Sequence, residues 1–190
     1  MTVRILAVKN AYISPSPTQS ASKYMHAAAN IISANNPFSP AIELREGRIV
    51  LEAVAKVLFA VTGNAHVEIN GKKAEPWRSY TLTPGSRVTV EGNSYISLHG
   101  LQAYGVSTKL PLSPGFTLSC TTVNGEFTAK KLLAFKVPVT MRLDTGNWRE
   151  MIRRLQRHVA LAREAVEKGA ELVRVRVGGR EFELWVQELA

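Results

Sequence analysis

Apolar and polar positions alternate along much of the first two-thirds of this chain, a pattern typical of β-strands. The clearest alternation covers residues 65–70 and ends at Asn70-Gly71, a dipeptide that favours a tight hairpin turn. Pro84-Gly85 and Gly92-Asn93 mark further turns. Because short strands at this spacing build closed or sandwiched sheets, we predict a mainly β architecture. The other strand-like runs are residues 2–8, 48–51, 57–61, 79–82, 87–90 and 94–98.

Two segments repeat apolar residues every three or four positions instead, which predicts helices. The first covers residues 23–34, with Ser22 as a candidate N-cap, and it is stopped at 35–37 by a cluster that ends in proline. The second covers residues 147–168 and ends before Gly169. The predicted fold class is therefore mainly β with two helices (α+β).

The last third of the chain has a different order of elements. We predict a strand at 137–143, then the long helix, then a hairpin over residues 172–189 that turns on Gly178-Gly179. A two-residue turn there would place apolar pairs on one face and opposite charges on the other, so the register is specified twice. The predicted pairs are Val173 with Leu184, Val175 with Phe182, Arg174 with Glu183, and Arg176 with Glu181.

Composition narrows the setting in which the protein works. Cys120 is the one cysteine, so the chain cannot form an internal disulfide, which fits a reducing compartment. The longest apolar stretch, residues 53–61, is too short to span a bilayer. We therefore predict a cytoplasmic protein without membrane association. The net charge of +9 raises the question of an anionic partner.

Motifs for common chemistries are missing from the sequence. It contains no phosphate-binding loop, dinucleotide glycine pattern, nucleophile elbow or metal-spaced cysteines and histidines. We therefore predict no metal site, and the catalytic residues are unknown. Arg149, Arg153 and Arg157 share one face of the long helix and could contact an acidic partner. A solvated helix face is the favoured interpretation, so nucleic acid is not an expected partner.

A series of short motifs occurs in a fixed order over residues 12–118. A Pro/Ser-rich loop at 14–22 leads into the first helix. It is followed by Ala29-Asn30 through Asn35, Ile42-Glu43, Ala60-Val61-Thr62-Gly63-Asn64, Tyr95 through Gly100, and Gly105-Val106-Ser107-Thr108. In motif order and spacing the chain resembles a shortened, degenerate member of the allophanate hydrolase subunit 2 family. That family also includes a subunit of 5-oxoprolinase and the carboxyltransferase part of urea amidolyase, and it is biotin-dependent carboxyltransferase-like.

The resemblance implies a fold and a pocket. It implies a cyclophilin-like β-barrel over residues 1–133, half of the usual family domain, with residues 134–190 docked on it as a strand-helix-hairpin segment. Asn30 and Asn35 could equally be helix-end caps, Ser107 and Thr108 strand-end hydrogen-bonders, and His99 a loop residue. The pocket residues carried over by position are Asn30, Asn35, Thr62, Gly63, His99, Ser107 and Thr108.

The resemblance also implies a function and leaves alternatives open. The first is a shortened subunit of a 5-oxoprolinase or amide carboxyltransferase complex. It would act on a small amide or lactam beside a companion subunit, the second protein of the same family system. On that interpretation the chain binds no cofactor, and ATP or biotin enters only through partner subunits. Ser14, Gln19 and Ser22 replace the family's loop glycines and aspartate. The family's second half is missing too, so a non-catalytic binding or regulatory module is the alternative, and a homo-oligomer is left open.

Overall fold

The computed structural model describes residues 2–143 and 146–187. Ten strands and three α-helices make up most of this part of the chain. The strands are β1 (Val3–Ser14), β2 (Ala41–Ala53), β3 (Val57–Ile69), β4 (Lys72–Ala74), β5 (Arg78–Leu82), β6 (Arg87–Leu98), β7 (Leu110–Pro111), β8 (Thr117–Leu118), β9 (Glu171–Val177) and β10 (Arg180–Val186). The helices are α1 (Lys23–Ile32), α2 (Ala129–Leu132) and α3 (Trp148–Glu167), with single 3-10 turns at Pro17–Gln19 and Val139–Met141.

Eight of the strands form one antiparallel sheet in the order β4-β3-β6-β2-β1-β7, with β5 also on β3 and β8 also on β1. The mainly β class with helices is confirmed. The expected barrel closure is wrong, because no ladder among the described strands joins the β1 side of the sheet to the β3 side. The outer strands β7 and β8 are two residues long, too short to continue the pairing. Helix α2 was not predicted, since four residues show no helical period.

Two glycines lie inside strands that look separate in the sequence. Gly63 lies within β3 and Gly92 within β6, with φ angles of +105° and +124°. A Cβ added to Gly63 would lie 2.5 Å from the carbonyl oxygen of Asn93, and one on Gly92 would lie 2.5 Å from that of Asn64. Glycine here allows two backbones to approach closely and a strand to bend. Both strands therefore continue through positions that look like turns in the sequence.

The inner face of the sheet holds the main hydrophobic core. Alternate residues of β1, β2, β3 and β6 point into it, as the period-two pattern predicts. Burying such side chains stabilises the fold by about 1.5–3 kcal/mol for each large one. The fully or almost fully buried members include Val3, Ile5, Ile42, Leu44, Ile49, Leu51, Phe59, Val61, Val88, Val90 and Ile96.

A second hydrophobic cluster lies on the other side, where α3 packs against α1. Tyr24 and Ile32 of α1 meet Leu155 and Val159 of α3, and Phe135 is buried with them. The N-cap of α1 is Ser22, as predicted, whose side chain accepts a hydrogen bond from the Met25 amide. Residues after 133 thus contact the sheet domain through α1. The boundary itself, between 1–133 and 134–190, stays a prediction.

The segment before α3 differs from the prediction. No strand forms at 137–143: Lys136 makes one isolated bridge to Arg78, and the chain then enters the 3-10 turn after Pro138. Proline has no amide hydrogen to donate to a ladder, and its fixed φ suits a turn.

The C-terminal hairpin has the predicted register, with Val175 opposite Phe182 and Arg176 opposite Glu181. Residues 188–189 of the predicted hairpin lie outside the described residues. Its apolar face stays largely exposed, at 39% for Val173 and 50% for Leu184. The face with the charged pairs, which also carries Trp185, turns towards the rest of the protein instead.

Within the described part of the chain, no helix has both the length and the apolar character needed to cross a membrane.

Candidate functional site

Helix α1 carries two polar side chains one turn apart into the protein interior. His26 and Asn30 are both fully buried. The His26 Nε2 atom lies 2.8 Å from the Ser39 carbonyl oxygen, and the Asn30 Nδ2 atom donates to the same oxygen at 2.7 Å. Asn30 Oδ1 accepts a hydrogen bond of 2.6 Å from the Ser97 hydroxyl of β6. Because i and i+4 positions face the same way, one helix face holds both the 39–40 loop and β6.

The same hydrogen-bond network continues to the C-terminal end of α1. Asn35 Nδ2 donates to the Leu98 carbonyl oxygen at 2.9 Å, and Asn35 Oδ1 accepts from the Gly100 amide at 2.8 Å. His99 Nδ1 lies 2.9 Å from the Ser33 carbonyl oxygen. The structure thus brings the predicted pocket residues Asn30, Asn35 and His99 together. Their side-chain bonds close the helix end, and their role in ligand binding stays a prediction.

The other four predicted pocket residues lie outside this network. Thr62 is buried and donates to the Met25 carbonyl oxygen of α1 at 2.7 Å, and Gly63 follows it at the close approach of β3 and β6. Ser107 and Thr108 are exposed. Gln19 Nε2 donates to the Ser107 carbonyl oxygen at 2.8 Å, which places these two residues beside the 14–22 loop. The seven residues therefore fall into three groups.

A buried carboxylate lies where the 14–22 loop meets β2. Glu43 is 1% exposed, and its oxygens lie 2.8 Å from Arg45 Nε and 2.6 Å from Lys109 Nζ. The Ala21 amide donates to it at 3.3 Å. Burial raises the pKa of Glu43, but hydrogen bonds and charge from Lys109 and Arg45 outweigh burial and hold that pKa below its ordinary value. Sequence reasoning noted Glu43 but missed this cluster, because Lys109 is distant in the chain.

Two further titratable groups adjoin Glu43. The hydroxyl of Tyr95 accepts from the Ser22 amide at 2.8 Å, and burial raises the pKa of Tyr95 to about 12. Burial also lowers the pKa of His26 to about 4, although its bond to the Ser39 carbonyl opposes the shift. Both groups are therefore neutral near pH 7, and Glu43 with its two cations carries the charge of this region.

Ser20 and His26 form a buried hydroxyl–imidazole pair, with Oγ 2.6 Å from Nδ1. Since Nε2 faces a carbonyl oxygen, Nε2 carries the proton and Nδ1 accepts from the Ser20 hydroxyl. Ser14 Oγ lies 2.8 Å from Ser20 Oγ and extends the chain of bonds. The distance suits a nucleophile and its base. Ser20 is only 9% exposed, however, so the geometry favours a role in holding the loop to α1.

The long helix presents its arginines as the sequence indicated. Arg149, Arg153 and Arg157 are all exposed on α3, and the Arg149 guanidinium lies over the Trp148 ring at 5.5 Å from its centre. Whether this face has a partner stays a prediction. Across residues 2–143 and 146–187, no group of three or more His, Cys, Asp or Glu side chains is placed to hold a metal ion.

Comparisons with known proteins bear on both the sheet and the loop site. The carboxyltransferase domain family, subdomains A and B, matches residues 20–125, more than half of the chain. No curated protein sequence matches the chain.

Solved structures show the same fold at low identity. The urea amidolyase of K. lactis has a TM-score of 0.54 at 18% identity, over 62% of this chain and 9% of that one. The urea carboxylase of Kluyveromyces lactis gives the same score and identity, over 62% of this chain and 13% of that one. The protein TTHA0988 has a TM-score of 0.55 at 14% identity, over 65% of this chain and 58% of that one. The chain thus spans less than two-thirds of each of these proteins, and by its family match it belongs to the carboxyltransferase domain family, subdomains A and B.

Proposed function

We propose that this chain is a shortened subunit of a 5-oxoprolinase or amide carboxyltransferase type complex. It acts on a small amide or lactam together with a companion subunit of the same family system. Membership of the carboxyltransferase domain family supports the class of chemistry. The observation that carries the proposal is the ion cluster of Glu43, Arg45 and Lys109 beside the 14–22 loop.

This cluster has the donors and the acceptor that an amide requires. An amide or lactam offers a carbonyl oxygen, which accepts hydrogen bonds, and an N–H group, which donates one. The Arg45 side chain is 54% exposed and that of Lys109 is 23% exposed, so a ligand can reach both cations. They would hold the carbonyl oxygen and stabilise negative charge that develops on it. Glu43 orients both cations and can accept from the N–H group.

The cluster by itself binds and orients, and it supplies no activated carboxyl or phosphoryl group. The sequence has no phosphate-binding glycine loop. ATP or biotin would therefore reach the reaction through partner subunits, which is why the proposal includes a second protein. The chain also covers only part of the length of its structural neighbours.

The test begins with co-purification of the tagged full chain from its own cells, followed by a 5-oxoproline cleavage assay with ATP. Arg45→Met should reduce glutamate release at least 10-fold, about 1.4 kcal/mol or more of lost transition-state stabilisation. Arg48→Met is the matched control, since Arg48 lies on the same strand, is 51% exposed and pairs with Glu91 instead. Equal losses in the two variants, or turnover unaffected by Arg45→Met, would contradict the role of the cluster.

A second candidate function is a non-catalytic binding or regulatory module. It is favoured by the side chains of Asn30, Asn35 and His99, each of which is already bonded within the fold. A tagged chain that elutes alone, with neither turnover nor 5-oxoproline binding, would support this module over the enzyme subunit. Recovery of the companion protein together with ATP-dependent glutamate release would exclude it.

Nucleic-acid binding through Arg149, Arg153 and Arg157 is the weaker alternative. A salt titration against duplex DNA and RNA tests it, because several phosphate contacts would make the affinity fall steeply as salt rises. We expect weak binding that is no stronger than that of a variant with all three arginines changed to glutamine.

A further inference from the structure

A cleft of about 460 Å³ lies between the edge of the main sheet and the C-terminal hairpin. One wall comes from β5 and the segment that follows α2, another from His158 of α3, and the third from β10. Its volume is in the range of small-ligand sites. Except for residues near β5, its lining lies after residue 125, outside the part of the chain that matches the family.

Three cations converge on one side of this cleft. Arg78 and Lys136 stand opposite each other in the isolated antiparallel bridge. Arg142 is tied to the same place because its Nε donates to the Val137 carbonyl oxygen at 3.2 Å. All three cations line the cleft. The backbone, and not chance surface proximity, therefore holds them together.

Two of these cations have unused hydrogen-bond donors. The ammonium of Lys136 is paired with Glu183. Arg78, however, reaches its nearest carboxylate, on Glu75, only at 3.9 Å, and its buried Nε has no hydrogen-bond partner. Arg142 makes no ion pair within the described residues. A buried guanidinium donor without a partner is costly, so an anion that satisfied it would be stabilised there.

The opposite side of the cleft is apolar and aromatic. Phe182 and Trp185 of the hairpin line it, together with Leu133 and Pro138. Phe182 is 42% exposed, so its ring is open to a ligand. An occupant would therefore touch cations at one end and rings at the other.

The charges in the cleft also restrict the anion. Glu75, Glu181 and Glu183 line it too, so an anion with two or more charges would be repelled. The planar guanidinium groups match the two oxygens of a carboxylate. We propose that this cleft is a binding site for a small monocarboxylate with an apolar or aromatic body, held by Arg78 and Arg142 and packed against Phe182 and Trp185.

The experiment uses the full chain with benzoate as the probe, followed by tryptophan fluorescence and isothermal titration calorimetry. We expect saturable binding with a dissociation constant on the order of millimolar, as suits a ligand of this size. Benzamide, the neutral amide of the same shape, should bind at least 10-fold more weakly. Inorganic phosphate should compete poorly with benzoate.

Variants locate the site. Arg142→Met should weaken benzoate binding at least 10-fold, Arg142→Lys should weaken it less, and Arg78→Met should act like Arg142→Met. Arg180→Met is the matched control, because Arg180 is exposed at the start of β10 and does not line the cleft. Unfolding curves of each variant without ligand show whether a loss reflects the site or the fold.

Three results would overturn the proposal: no benzoate binding, equal binding of benzamide, or equal losses in Arg142→Met and Arg180→Met. Phosphate that binds as tightly as benzoate would overturn the ligand class. The proposal is independent of the function at Glu43, since Arg45→Met should leave benzoate binding unchanged whichever way the cleavage assay turns out.

Discussion

Replacing Asn30 by alanine tests whether the buried polar network holds the fold. Asn30 is fully buried, and its side chain donates to Ser39 at 2.7 Å and to Pro37 at 3.3 Å, and accepts from Ser97 at 2.6 Å. Asn30→Ala removes these bonds and leaves the Ser97 hydroxyl without its acceptor. Since a lost hydrogen bond costs about 1 kcal/mol and an orphaned buried group about 1–3 kcal/mol, we expect a loss of about 4 kcal/mol.

Urea unfolding followed by circular dichroism measures this change. With a slope of about 2 kcal/mol per molar urea, 4 kcal/mol lowers the unfolding midpoint by about 2 M. Asn36→Ala is the control, since Asn36 is exposed and makes one local bond to the Phe38 amide. It should shift the midpoint by less than about 0.5 M.

A midpoint for Asn30→Ala close to that of the Asn36→Ala control would refute the reasoning. It would mean that water or relaxation satisfies the network at little cost, and that the geometry gives no structural reason for Asn30. A ligand-binding role, predicted from the family resemblance, would then be the better account of that side chain.

Two further predictions concern the strand crossing and the acid response. Gly63→Ala should destabilise the protein by more than about 2 kcal/mol, seen as a lower melting temperature, because its Cβ would lie 2.5 Å from the Asn93 carbonyl oxygen at a positive φ. His26 should make the fold acid-sensitive. Its pKa falls from 6.5 to about 4 on folding, so the unfolded chain takes up the proton first. Stability is then full above pH 6.5 and decreases as the pH falls towards 4, by about 3 kcal/mol.

Each of these two predictions has a control within the chain. Gly85 also has a positive φ, but a Cβ there meets nothing within 4 Å, so Gly85→Ala should cost clearly less than Gly63→Ala. His26→Gln should flatten the unfolding profile between pH 6.5 and 4, whereas His66→Gln, at an exposed position, should leave it as in the parent protein. The lowered pKa of Glu43 adds acid sensitivity of its own, which should remain in His26→Gln. Identical profiles for the two histidine variants would argue against the buried neutral imidazole.

Local patterns were sufficient for the elements that local physics decides. The alternation of Val173 and Val175 with Arg174 and Arg176, and the turn at Gly178-Gly179, are enough to specify the hairpin register, which the structure confirms. The three-or-four spacing was likewise enough for α1 and α3.

Only the tertiary structure decided how distant segments meet. The ion pair between Glu43 and Lys109, the open edge of the sheet and the cleft around Arg78 and Arg142 depend on contacts between residues far apart in sequence. The sequence alone predicted that the hairpin would bury its apolar face, yet the charged face with Trp185 lies inward. Period and turn chemistry set which residues share a face. Which face is covered depends on the packing of the whole chain, because the free energy of burial is a property of both surfaces in contact.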